Sequence, residues 1–364
     1  MKSNKLALLG AFFIGMSAVA PSSAQEVPAG YPEGYADTIA AAKAEGSLVI
    51  YTATDAAQSQ RLVDAFTKKY GIKVEYNDLG NNGAYNRAIS EAAAKQVGAD
   101  IVWSGAMDLQ MTLAAEGYVE PYKSAELSNI PEWANYQETL YGTTVEPIGM
   151  IYNKGAISDE DVPATRADLI KFLTDNKDKL RGKVATLDPE KSGAGFLHHT
   201  NDAIETSDFW DFAKALGAVG LKTYSASGSM RETVVSGENV LSVNIIGSYA
   251  LDWVKESPNL GVAFGKDYTP AFSRLAAIMK DAPHPEAAKL FVDFMLSQEG
   301  QNALAAGGLP SIRDDVTEGL NFVSLNERVG GNLKPIGIDN DLLDYMKPQK
   351  RVEFFREWNA ATKP

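Results

Sequence analysis

The chain has 364 residues, 34 of them basic and 47 acidic, for a net charge of −13 at neutral pH, and it contains no cysteine. That balance argues against nucleic acid or an anionic membrane surface as partner. The missing thiols exclude cysteine catalysis, thiolate metal sites and disulfides, and the length calls for two lobes rather than one core.

Met1–Ala24 reads as an export signal. Lys2 and Lys5 precede the apolar run Leu6–Ala20, and the small residues Ser22 and Ala24 suit cleavage before Gln25. Without those two lysines, 32 basic residues face 47 acidic ones, a net charge of −15. An exported chain of this size without disulfides fits a bacterial periplasm.

Leu48–Thr52 is a short apolar run and predicts a buried strand; Gln60–Tyr70 has helical spacing, and Ile72–Tyr76 alternates as a second strand. A helix over Ala84–Gln96 and a third strand over Ala99–Trp103 complete a βαβαβ rhythm, hence a parallel sheet with helices on both faces. Ligands of such sheets bind at the carboxyl ends of strands. Thr52, Thr54 and Asp55 after strand one, and Ser104, Gly105, Ala106 and Asp108 after strand three, are therefore candidate site residues.

Glu146–Lys154 is apolar but contains Pro147 and Gly149, which predicts a crossing segment between lobes rather than an ordinary central strand. Arg166–Leu180 is expected to be helical, and Gly182–Leu187 to open a second sheet. The turn Ser192-Gly193-Ala194-Gly195, with a helix from about Phe196, leaves backbone N–H groups at the positive end of a helix dipole and so suits an anion. Phe209–Leu216 and Met230–Val235 read as helices. Leu241–Asn244 reads as a strand that leads through Ser248 and Tyr249 into another helix. Leu260–Phe264 and Arg274–Met279 are expected to return to the first lobe, Pro285–Leu296 to form a helix, and Leu342–Ala361 a helical tail broken near Pro348. The expected division is residues 25–147 with 262–312 as the first lobe, 148–261 as the second, and 313–364 as a tail packed across both.

Several stretches together resemble the periplasmic solute-binding proteins of ABC importers, in the branch that includes ferric-iron receptors. They are Val49-Ile50-Tyr51, Ala99–Ser104, Tyr152-Asn153-Lys154, Lys191-Ser192-Gly193, Val235–Glu238 and Ala282–Lys289. The resemblance implies an α/β, two-lobed type II binding protein, a monomer that delivers a small-molecule solute to a membrane permease, with no enzymatic activity. Iron receptors of this branch present paired tyrosines after the strand equivalent to Leu241–Asn244, and phenolates suit a hard cation. Here the segment reads Ile245-Ile246-Gly247-Ser248-Tyr249, with one tyrosine. The expected solute is accordingly a phosphorylated, phosphonate or carboxylate compound, with ferric iron as the alternative and no resident metal or cofactor.

The expected ligand residues are those of the two strand-end loops above with Ser192, Gly193, Ala194, Gly195, Phe196, Asn244, Ser248 and Tyr249. Arg274 is the expected fixed counter-charge, its competing role an inter-lobe salt bridge, and Arg231 the second candidate. His198 and His199 point about 100° apart on a helix, which makes a poor metal pair. His284, between two prolines, reads as exposed. No nucleophile elbow, phosphate-binding P-loop or zinc-protease motif occurs, so a transferase on the same fold is the remaining enzyme reading.

Overall fold

A computed structural model describes residues 27–363, so the expected export signal lies outside the described residues. The chain first runs α1 (Tyr35–Glu45), β1 (Ser47–Thr52), α2 (Ala56–Tyr70), β2 (Lys73–Asp78), α3 (Gly80–Ala93), β3 (Ile101–Ser104) and α4 (Met107–Ala115). A short hairpin, β4 (Asn135–Tyr136) and β5 (Leu140–Gly142), leads into β6 (Glu146–Asn153). Then come α5 (Arg166–Asp175), α6 (Lys177–Leu180), β7 (Val184–Leu187), α7 (Gly193–Glu205), α8 (Phe209–Ala218), β8 (Lys222–Tyr224), α9 (Ser227–Val235), β9 (Leu241–Ile246) and α10 (Gly247–Glu256). The chain returns through β10 (Leu260–Ala263), β11 (Thr269–Phe272) and β12 (Leu275–Ile278). It finishes with α11 (Pro285–Leu296), α12 (Gln298–Ala306), α13 (Phe322–Arg328), β13 (Leu333–Pro335) and α14 (Pro348–Thr362).

Two sheets result, one per lobe. The first has the order β2-β1-β3-β12-β5-β4; the second has β13-β11-β6-β9-β7-β8, with β10 paired to β6. β1 is parallel to both β2 and β3, as the βαβαβ rhythm predicts. In the first lobe α2 turns Leu62 and Phe66 inward against Leu48, Ile50 and the helix α11, where Phe66 meets Phe291 edge to face at 4.9 Å. In the second, Phe209, Phe212 and Leu216 of α8 pack with Phe354 and Trp358 of α14.

Three expectations are corrected here. Glu146–Asn153 is central in the second sheet, flanked by β9 and by β10 and β11. Pro147 is tolerated because it sits at the start of the strand, where β11 pairs over only two residues, and the ladder shifts register between Gly149 and Ile151. Gly149 is needed for packing: a Cβ there would lie 2.7 Å from the Phe264 ring. Next, β10, expected to be a strand returning to the first lobe, instead pairs antiparallel with β6 in the second sheet. The reason is that the turn after α10 leaves β10 antiparallel beside the apolar β6. Finally, α7 begins at Gly193, so the glycines form its first turn. The tail spans both lobes: a 3-10 turn over Asn340–Leu343 lies against α4 and α14 lies against α8. Three-residue β13 carries no strand signal strong enough to read from sequence.

Candidate functional site

The carboxyl ends of the strands in both lobes face each other across a cleft of about 570 Å³. Its first-lobe wall is Ala53 and Asp55 after β1 and Asp78–Gly83 after β2. The second-lobe wall is Lys191–Ala194 after β7, Ser225–Gly228 after β8, and Ile246, Tyr249 and Trp253 after β9, with Arg231 and Glu232 on α9. The first turns of α3, α7 and α9 therefore all open on one space. Each brings unpaired backbone N–H groups and a positive dipole end. The lobes touch at its side, where Asn82 Nδ2 donates to the Lys191 carbonyl at 3.5 Å.

Side chains add unspent bonding capacity. Ser192 Oγ accepts from Gly195 N–H at 3.2 Å as the α7 cap, and among the described residues its own proton has no acceptor. Ser227 Oγ and Asn81 Oδ1 are buried and, among the described residues, have no partner. Arg231 donates to Glu256 Oε2 at 2.9 Å and lies over the Trp253 ring at 5.6 Å, leaving other guanidinium N–H groups for the cleft. Asp55 and Asp78 stand exposed on the opposite wall.

Of the expected ligand residues, the structure brings Asp55, Ser192, Gly193, Ala194 and Tyr249 to the cleft wall. Thr52 is consumed in a turn, accepting from Thr54 N–H at 3.0 Å, and Ser104 Oγ likewise accepts from Ala106 N–H at 3.3 Å. Gly105 packs under the Phe272 ring and Ala106 is buried beside it. Gly195 serves helix–strand packing, since a Cβ would lie 2.8 Å from the Asp188 carbonyl oxygen. Phe196 faces the tail helix and stacks with Arg351 at 4.3 Å. Asn244, at φ +55°, turns away toward His199 Nδ1 and a second cavity of about 310 Å³. Asp108 lies at the seam between α4 and α7, one oxygen accepting from Leu109 N–H and the other without a partner among the described residues. Burial pushes its carboxyl up to about 6, against the pull of the Leu109 N–H and Arg351.

Arg274 is the main relocation. It lies 2 % exposed beneath the cleft floor, where the chain crosses between sheets, and pairs with Glu146. Nε donates to Glu146 Oε1 at 2.7 Å and Nη2 to Oε2 at 3.0 Å; Nη1 reaches Thr54 Oγ1 at 3.0 Å and Ala53 O at 3.4 Å. Nη2 also donates to Tyr249 Oη at 3.1 Å, so all five N–H groups are used. Glu146 takes further bonds from Thr144 Oγ1 at 2.9 Å and Ser248 Oγ at 2.5 Å, so Ser248, like the Thr54 hydroxyl bonded to Arg274, is spent on the pair. Burial works against the guanidinium charge, but Glu146 outweighs it and holds the group protonated. With no donor left over, Arg274 gives way to Arg231 and Lys191, the cations that line the cleft.

The histidines hold the framework. Burial pushes His198 down to about 4 and His199 to about 3, so both are neutral. His198 Nδ1 lies 3.1 Å from the Asn244 carbonyl, and His199 Nε2 lies 3.2 Å from that of Leu187, fastening α7 to β9 and β7. His284, expected to be exposed, instead meets Asp100 at 2.9 Å. Sequence reading missed Asp78–Gly83 and Ser225–Gly228, although both are Gly- and Ser- or Asn-rich turns after strands, the signal used elsewhere.

Residues 61–325 match the family model described as bacterial extracellular solute-binding protein. The structure is similar to the substrate-binding protein of an ABC transporter from Agrobacterium tumefaciens, with 34% identity and a TM-score of 0.81, covering 87% of this chain and 94% of that one. A putative 2-aminoethylphosphonate-binding periplasmic protein of Salmonella typhimurium is 26% identical over 327 residues, 87% of each chain. An Fe(3+)-binding periplasmic protein of Serratia marcescens is 24% identical over 275 residues, 72% of this chain and 78% of its own.

Proposed function

The chain belongs to the bacterial extracellular solute-binding protein family, and we propose that its cleft captures a small organic oxyanion for an inner-membrane ABC permease. The observation that carries this reading is the convergence of three helix N-termini, from both lobes, on one cleft. A phosphonate, phosphate ester or carboxylate would take backbone N–H groups of α7 and α9 with the Ser192 and Ser227 hydroxyls, and Arg231 would supply charge. Asp55 and Asp78 on the facing wall favour a solute whose other end carries an amine or hydroxyls, chemistry that the name of the Salmonella relative also describes. Binding draws the lobes together, and the closed form presents a surface spanning both to the permease. The protein acts as a periplasmic monomer after loss of Met1–Ala24, by binding rather than by catalysis.

Native mass spectrometry of protein purified without refolding, set against its denatured mass, tests this directly. The expected difference is the mass of an organic phosphonate, phosphate or carboxylate. A difference of one iron with a small anion would replace this reading with ferric transport.

A further inference from the structure

Tyr249 stands where the cleft meets the buried pair beneath it. It lines the cleft, and its oxygen accepts from Arg274 Nη2 at 3.1 Å. A phenol has one proton, and among the described residues that of Tyr249 has no acceptor in the protein. The guanidinium cannot turn away, because Glu146, Thr54 and Ala53 occupy its other N–H groups, and Glu146 is itself fixed by Thr144 and Ser248. A hydroxyl that accepts from a cation is also polarised into a stronger donor.

We propose that Tyr249 is the obligatory hydrogen-bond donor to the solute's oxyanion, with Arg274 and Glu146 as the residues that position it. This rests on the oxyanion reading of the cleft and sharpens it by giving the solute a direction. The anionic end sits against Tyr249 and the first turn of α7, and the other end faces Asp78 on the first-lobe wall. A neutral phenol is the form this environment keeps: burial pushes it up to about 12, although Arg274 pulls the other way. Ligation of a metal by Tyr249 would require that proton to leave.

The test titrates inorganic phosphate, 2-aminoethylphosphonate and citrate by calorimetry into wild type and Tyr249→Phe. At least one probe binds wild type, and the substitution weakens it about ten- to hundred-fold, the loss of one donor to a charged acceptor. Because Tyr249→Phe strands a buried Arg274 N–H, the second measurement keeps the native side chain. A tyrosine labelled with carbon-13 at Cζ and placed only at position 249 shifts its resonance when the probe binds. Arg274→Lys weakens binding in the wild-type background and much less in the Tyr249→Phe background, as a residue acting through Tyr249 requires. A bound probe with an unmoved resonance and undiminished Tyr249→Phe affinity overturns the proposal and leaves the oxyanion reading standing. Failure of every probe to bind wild type overturns both. A visible phenolate-to-iron absorption band on adding ferric citrate, lost in Tyr249→Phe, overturns it in favour of metal ligation.

Discussion

The cleft and the crossing beneath it are built from the same residue types and put them to opposite ends. Below, Arg274 spends all five N–H groups on Glu146, Thr54, Ala53 and Tyr249, and Glu146 takes further bonds from Thr144 and Ser248, out of contact with water. Above, Arg231, Ser192, Ser227 and Asn81 keep donors or acceptors unmatched among the described residues. One arrangement fixes the framework and the other waits for a partner. Residue type and sequence position do not tell them apart; the tally of used and unused hydrogen bonds does.

The largest expected effect comes from breaking the saturated region. Glu146→Ala leaves the Arg274 cation buried and unpaired, and denaturant unfolding should show a loss of about 3–5 kcal/mol. A loss below about 1 kcal/mol would mean that water reaches the pair and that the contrast drawn above fails. The converse change is Arg231→Ala in the open region. Affinity for a bound phosphonate or phosphate should fall by about 2 kcal/mol in calorimetry, while stability moves by no more than about 0.5 kcal/mol. An equal loss of stability would place Arg231 in the framework instead.

Asp108 tests the boundary between the two regimes, since it is buried at the seam yet half unsatisfied. Its folded-state carboxyl is raised from 3.8 to about 6. The native state therefore holds a proton that the unfolded chain has released. The neutral group imposes no penalty below about pH 4, and stability is lost as pH rises through about 6. Asp108→Asn should remove that loss, stabilising the protein by about 1–2 kcal/mol at pH 7.5 with little effect at pH 4. A variant less stable than wild type at pH 7.5 would show that Arg351 satisfies the carboxylate after all.

Much of the fold was legible because burial on both faces writes long apolar runs, as in Leu48–Thr52 and Ile101–Trp103, and because the loops after such strands must hold the site. Asp55, Ser192–Ala194 and Tyr249 stand just after such strands and line the cleft. Pro147 misled because its place at the start of a central strand depends on neighbours more than a hundred residues away in sequence. Of the two roles open to Arg274, counter-charge or inter-lobe salt bridge, the structure shows the second; sequence left both open because its partner Glu146 is 128 residues distant and a saturated arginine and a free one look alike. Gly105 and Gly195 resembled an anion cradle but serve close packing, a distinction made by a few tenths of an ångström of Cβ clearance.

One consequence follows from where the outermost helices sit. α1 packs against α11 in the first lobe, and α14 packs against α8 in the second. The two ends of the described chain thus ride on different halves of the molecule. Because the native sequence has no thiol, cysteines introduced at the exposed positions Asp37 and Val352 would be the sole attachment points for a dye pair. Energy transfer between those dyes would turn the receptor into its own optical gauge of solute capture.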